Sequence, residues 1–385
     1  MDFDQYIDRR PTESLKWKCY PEDVLPLWVA DTDFMCPPAV IEALHKRVDH
    51  GIFGYGLPPE GMDQTVIDRV ARLYNWEVTA EQLHYVPGIV TGFTLVLRAL
   101  CQPGDAVIFQ TPAYPPFIGS PMASGLIGIQ NPMYLDDQGV YRIDFDLFEK
   151  QIIDHKVKVY ILCNPQNPTG RVFNQSELER LAEICLRHGV VICSDEIHCD
   201  IIYDNNKHIP IASLDQEISK ITATFLAPSK TYNIAGLHAS VSIIQGDELR
   251  KACEQYATFL IGSPGVLAMV AAKAAYEHGG EWLKQQNAYL QQNRDMLGVS
   301  IEQGELPGVK WSKPEATFLG WLDCRELPIE GSHQEYFFNT AKICLNDGCT
   351  FGDVGKGFLR LNFGCTRDVL SQGIELMAGA IKMLS

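Results

Sequence analysis

An α/β fold is what the sequence predicts: a mainly parallel, doubly wound sheet accompanied by a smaller α+β domain. Three observations predict it. Short apolar runs alternate with helical patterns between about residues 84 and 244. Three of those runs end in polar groups: VYILC ahead of the turn NPQNPTG, VVICSD at Asp195, and ITATFL ahead of Ser229 and Lys230. Beyond about residue 280 the alternation gives way to a long helical stretch and short strands. Parallel strands covered on both faces read as near-continuous apolar runs, and sheets of this kind place their sites at the strands' carboxyl ends.

Residues 1–36 carry charged and aromatic loop material that closes in the apolar LPLWVADTDF. Pro37 and Pro38 open a helix through AVIEALHKRV, because a first turn needs no backbone donor there. The glycines of GIFGYG mark an irregular loop around Tyr55. Val66, Val70 and Leu73 have helical spacing. HYVPGIVTGFTLVLRAL passes from a short strand through Pro87 and Gly88 into a helix. AVIFQTPAYPPF reads as a strand followed by a proline-bracketed aromatic, Tyr114. SELERLAEICLRHG is a helix that ends in glycine. Ile221 to Leu226 and Ala239 to Ile244 are apolar strands on either side of the Lys230 turn. GEWLKQQNAYLQQNRDMLGVSI then forms a long helix, followed by the short strands FLGWLDC and GFLRLNFGC and two further helices. The expected domains are a large one over 46–279 and a small one from both chain ends, 1–45 and 280–385.

Composition narrows the function. A net charge of −16 with a pI near 5.0 excludes the basic surface that nucleic acid or anionic membranes require. The start, MDFDQYIDRR, has no apolar core of a secretory leader, and no apolar run reaches membrane-spanning length. Twelve cysteines fall largely in apolar runs without a CxxC pair, so reduced thiols in a cytoplasmic protein are expected. His198 beside Cys199 lacks further ligands at metal-binding spacing, and no metal is expected.

The chemistry concentrates at the strand ends. A lysine held where a strand gives out is partly desolvated, which lowers its pKa and makes it a usable nucleophile or base. On these residues alone, a surface lysine in a polar loop fits Lys230 equally well. The strand–glycine–helix junction at Gly88 aims free backbone N–H groups at one spot, an anion site shared by many βα units. Neither GxxxxGK[ST] nor GxGxxG is present. Asn167 also suits a turn before proline, and Tyr114 a packed loop aromatic.

Taken together, LWVADTDF, NPQNPTG, the strand ending in Asp195, APSK and FLRLNFGC resemble the fold-type-I pyridoxal-phosphate enzymes of the class I/II aminotransferase superfamily. Within it the likeness is to the bacterial cystathionine β-lyase, or carbon–sulfur lyase, branch, over nearly the whole chain. The resemblance implies pyridoxal 5′-phosphate held by the Lys230 amine, with Asp195 against the ring nitrogen and Asn167 at the ring hydroxyl. It implies Tyr114 stacked on the ring and Gly88, Ile89, Val90 and Ser229 around the phosphate. Arg360 matches the arginine that grips the substrate carboxylate, and Tyr55 the tyrosine that reaches the phosphate across a homodimer. His198 stands where typical aminotransferases carry tyrosine, still within the cofactor set, and His238 where they carry a phosphate-binding arginine. Both departures look like the lyase branch.

The implied reaction is β-elimination from L-cystathionine or related cysteine S-conjugates, giving pyruvate, ammonia and a thiol, homocysteine in the case of cystathionine. The alternative is an aminotransferase acting on an amino acid and a 2-oxo acid. An intact set of Lys230, Asp195 and Arg360 argues against a third reading, a non-catalytic regulator that keeps the fold.

Overall fold

The computed structural model describes residues 1–258 and 260–384. Seven strands form its central sheet: β1 (Leu83–Val86), β2 (Ala106–Thr111), β3 (Ile127–Pro132), β4 (Val159–Cys163), β5 (Val191–Asp195), β6 (Thr222–Leu226) and β7 (Ser240–Ile244). Their order is β1-β7-β6-β5-β4-β2-β3. Only β7 runs against its neighbours; the remaining pairs are parallel. The mainly parallel, doubly wound sheet expected from the sequence is therefore present.

Strand alternation sorts the core into two layers. Val107, Phe109, Ile161 and Cys193 pack toward helix Ile89–Leu100, around Phe93 and Leu97. Ile108, Tyr160, Leu162 and Ile192 pack on the opposite face, against helices Phe145–His155 and Gln175–His188. Period two puts Asp195 on the same side as Cys193, the side of helix Ile89–Leu100. That helix begins just past the carboxyl end of β1, so its N-terminus and Asp195 share one end and one face of the sheet.

Tyr114 leads into a helix, Pro115–Ala123, where the sequence suggested only a restrained loop. Pro115 and Pro116 occupy the first turn, where a missing N–H costs nothing, and Pro121 lies inside the helix.

A second, antiparallel sheet comprises β8 (Lys310–Trp311), β9 (Leu319–Asp323), β10 (Asn346–Asp347) and β11 (Phe358–Asn362), in the order β8-β9-β11-β10. Helices Gly280–Glu302, His333–Ala341 and Arg367–Lys382 accompany it. The N-terminal segment joins this region through Leu25–Pro26, which pairs in parallel with Ile343–Cys344.

From there residues 28–34 run between the two sheets, held by side chains reaching their backbone. Asn362 Nδ2 donates to Val29 O and Asp31 O, and Asn233 Nδ2 to Thr32 O and Phe34 O. Asp33 anchors the segment. Its carboxylate pairs with Lys16 at 2.7 Å and Arg9 at 2.7 Å, and accepts from Trp17 Nε1 at 2.9 Å. Burial pushes the Asp33 carboxyl up, but Lys16, Trp17 and Arg9 outweigh it and hold it below the ordinary carboxylate range.

Lys16 has no exposed surface, so removing its partner leaves a buried charge uncompensated. Asp33→Ala is expected to cost about 3–5 kcal/mol, seen as a lowered thermal midpoint. Because the folded pKa is depressed, Asp33's contribution is full above its unfolded value of about 3.9. It fades as pH falls through the folded value, and the gap between wild type and variant should narrow in acid.

Candidate active site

The sheet end that carries Asp195 opens into a cavity of about 360 Å³ between the two sheets. Five of the seven strands deliver groups to it from their carboxyl ends. β1 ends before Gly88, β2 before Tyr114, β4 at Cys163 with Asn167 beyond, β5 at Asp195, and β6 before Ser229 and Lys230. Arg360 enters from β11 and Asn346 from β10, opposite one another in register. Gly88, Ile89, Val90, Tyr114, Asn167, Asp195, His198, Ser229, Lys230, His238 and Arg360 all line this one space. Tyr55 does not; it is fully exposed on the loop before helix Met62–Tyr74, away from this chain's own cavity.

The local backbone shows why. Gly88 has φ +118°, a region that side chains rarely adopt, and this lets the chain turn from β1 directly into its helix. Its own N–H is engaged by Val86 O and by Ser240 Oγ, at 2.8 and 3.1 Å. The amides of Ile89 and Val90 follow in the first helical turn, where no intrahelical acceptor exists. No side chain caps that helix start. Bare amides and the positive dipole end together favour an anion.

Lys230 sits on a single helical turn, Pro228–Thr231, with its Nζ donating to Ala30 O. Desolvation lowers its amine to about 8; Asp31 and Asp195 oppose the shift and Arg360 adds to it. Asp195 accepts one hydrogen bond from the described residues, from Ile197 N–H at 3.1 Å. Burial raises its carboxyl to about 7; the Ile197 N–H opposes the rise, and Glu196 reinforces it. Desolvation, with Lys230 and Arg360 close by, lowers His198 to about 3, so its ring is neutral. Its Nδ1 is buried without a partner among the described residues.

Arg360 is buried, and desolvation lowers its guanidinium to about 10. Its Nη1 donates to Asn167 Oδ1 at 3.0 Å, and its Nη2 to Trp28 O at 3.0 Å and Asn346 Oδ1 at 2.6 Å. Its Nε has no partner among the described residues. The guanidinium lies over Phe351, 4.9 Å from the ring centre.

Pyridoxal 5′-phosphate fits these donors. The cavity offers an amine of lowered pKa, a buried carboxyl short of hydrogen bonds, bare helix-start amides and an aromatic ring. Sequence reasoning missed Trp28, Ala30 and Asn346. The motif LWVADTDF contained the first two, but their contribution is a backbone carbonyl, which no residue type announces. Asn346 carried no signal.

Residues 22–376 match the family model described as aminotransferase class I and II. The chain is 39% identical over 391 residues to cystathionine beta-lyase PatB of Bacillus subtilis (strain 168), covering 99% of this chain and 100% of that one. Among solved structures it is similar to cystalysin from Treponema denticola, which contains pyridoxal 5′-phosphate. The TM-score is 0.95 at 32% identity, over 100% of this chain and 99% of that one. It is also similar to the PLP-bound C–S lyase from Staphylococcus hominis, with a TM-score of 0.93 at 32% identity over 99% of both chains.

The lowered lysine pKa is directly measurable. In cofactor-free protein, amine modification by trinitrobenzenesulfonate, followed peptide by peptide, should reach half-maximum at Lys230 near pH about 8. Ordinary lysines should need a pH near about 10.4. A Lys230 midpoint among the ordinary ones would show that the cavity does not desolvate it.

Proposed function

The chain belongs to the class I and II aminotransferase family, and on that premise we propose that it is a pyridoxal 5′-phosphate-dependent carbon–sulfur β-lyase. Its substrates are L-cystathionine or related cysteine S-conjugates, and its products pyruvate, ammonia and a thiol. The observation that carries this reading is the single cavity gathering Lys230, Asp195 and Arg360 around a bare helix start. Relatives named cystathionine beta-lyase, C–S lyase and cystalysin favour elimination over transamination.

Pyridoxal 5′-phosphate, when bound, supplies a protonated ring that withdraws electrons from the substrate's Cα and eases loss of its proton. Lys230 holds the cofactor through its amine. Asp195 keeps the proton at the ring nitrogen: its carboxyl, raised by burial, lacks the cation that this nitrogen provides. The amides of Ile89 and Val90, beside Gly88 and Ser229, would receive the phosphate. Tyr114 would cover the ring and Asn167 would meet its hydroxyl.

Arg360 would exchange protein acceptors for the substrate carboxylate, a two-pronged match that would hold Cα within reach of Lys230. With its pKa near 8, Lys230 accepts the Cα proton at neutral pH without a large penalty. The thiolate at Cβ then leaves, which hydride cannot do as readily.

A homodimer belongs to this reading. Ile52, Phe53, Tyr55 and Leu57 are all exposed on one loop, more apolar surface than a free loop carries singly. A second copy covers it and takes Tyr55 to the neighbouring phosphate site. Among the described residues no helix is long and apolar enough to cross a membrane. Twelve cysteines, free as thiols, suit a reducing cytoplasm.

L-cystathionine should yield pyruvate, ammonia and homocysteine in equal amounts with no added 2-oxo acid. Pyruvate that appears only when a 2-oxo acid is supplied would replace the lyase with an aminotransferase. Lys230→Ala should abolish turnover. Asp195→Asn should still bind cofactor but lose about 10²–10⁴-fold in rate, the range a positioned proton-holding group supplies. Wild-type rates in that variant would make Asp195 structural.

A further inference from the structure

Lys230 and Asp195 project beyond the ladder that joins their strands. The last bond between β5 and β6 runs from Glu196 N–H to Phe225 O at 3.0 Å. Lys230 follows on a single turn of helix whose start no side chain caps. One turn has no stability of its own. Yet the distance between these two groups must be fixed closely for proton transfer to be efficient.

Asp200 closes that gap from the turn that follows Asp195. Its Oδ2 accepts from Thr231 Oγ1 at 2.9 Å, and its Oδ1 pairs with Arg69 Nη2 at 2.5 Å. Among the described residues, the Thr231 bond is the one side-chain hydrogen bond between residues 195–201 and 228–234. Arg69 is immobilised in turn by the Tyr276 ring, 4.7 Å from its guanidinium. Consecutive residues of helix Gly280–Glu302 hold the two turns side by side. Gln286 Nε2 donates to Thr231 O at 3.1 Å, and Asn287 Nδ2 to Asp200 O at 2.7 Å. Thr231 is fully buried, and the side chains of Asp200 and Arg69 nearly so.

We propose that Asp200 is a positioning residue that holds Lys230 in place relative to Asp195 through the Thr231 hydroxyl. It touches no reacting atom, since neither Asp200 nor Thr231 lines the cavity. The inference rests on Lys230 and Asp195 being the cofactor's anchors. Arg69 keeps the carboxylate oriented while Asn287 fixes the Asp200 backbone, so the pull on Thr231 is directional and not merely cohesive.

Thr231→Val removes the hydroxyl and keeps the shape. In the holoenzyme, kcat with L-cystathionine should fall about ten- to a hundredfold while KM stays within about twofold, as for a group that acts on alignment and not on binding. The pH midpoint of the bound cofactor's visible absorption should move, because it reports the environment of Lys230. The thermal midpoint should fall modestly, since Asp200 Oδ2 loses a buried donor, and Thr231→Ser should return kcat and the absorption midpoint. Should valine prevent folding, Thr231→Ala removes the same hydroxyl without an added methyl and is judged identically. A hydroxyl-free variant with wild-type kcat and an unmoved absorption midpoint overturns the proposal, as does a serine variant that fails to recover. If wild-type protein takes up no pyridoxal 5′-phosphate, the anchor assignment fails first and the positioning role with it.

Discussion

Unpaired charge in a nearly dry place is the constraint around which this molecule is built. Elsewhere its buried charges are matched: Lys16 with Asp33, Arg69 with Asp200, Arg171 with Glu177, and Arg294 with Asp204 and Asp295. Lys230, Asp195 and Arg360 have no ion-pair partner among the described residues. Each is displaced from its ordinary pKa mainly by desolvation, the amine and guanidinium downward and the carboxyl upward. Burying charge without a partner costs free energy that a purely structural role would not repay. The same displacement is what equips such groups to meet a charged ligand.

The fold tolerates this arrangement by giving the charges neutral partners. Segment 28–34 supplies carbonyl oxygens to Lys230 and Arg360, and Asn167 and Asn346 supply amide oxygens to Arg360. Dipoles satisfy the N–H donors without cancelling the charge, so an incoming carboxylate or phosphate still finds it. The anchor at Asp33 explains how so irregular a segment stays in position between two sheets. One fully compensated charge cluster thus holds the scaffold beside an uncompensated one.

Much of the scaffold was legible in the sequence because parallel strands are apolar on both faces. Runs such as VYILC and ITATFL could hardly lie anywhere but the centre of a sheet, and their ends located Asp195 and Lys230. The edge strand β3 and helix Pro115–Ala123 escaped notice for opposite reasons. β3 is half exposed and its apolar run is diluted by glycine, asparagine and proline. The helix begins with two prolines and contains a third, residues that usually signal a break. Within the site, side chains with distinctive chemistry could be named from the resemblance. The carbonyls of Trp28 and Ala30 could not, since any residue carries one. Nor could the link from Asp200 to Thr231, which depends on two turns meeting in space across about thirty residues of chain.

The charge inventory of the cavity also bears on reaction type. In the proposed reading the helix start answers a phosphate, Asp195 a ring cation, and Arg360 one carboxylate. His198, held neutral by desolvation and by its cationic neighbours, adds no positive charge. Among the described residues lining the cavity, Lys230 and Arg360 are the only lysine and arginine. In the same reading Lys230 is committed to the cofactor and the Cα proton. A substrate with a second carboxylate near Cβ therefore finds no lysine or arginine of this chain to receive it, and desolvating that carboxylate would weaken its binding. A cysteine S-conjugate presents a thioether at the same place, which needs no counter-charge. Within this chain's own cavity, electrostatics gives a dicarboxylic amino acid no advantage over a cysteine S-conjugate. Elimination asks of the site only what it already holds: one amine, one carboxylate and one guanidinium, kept apart.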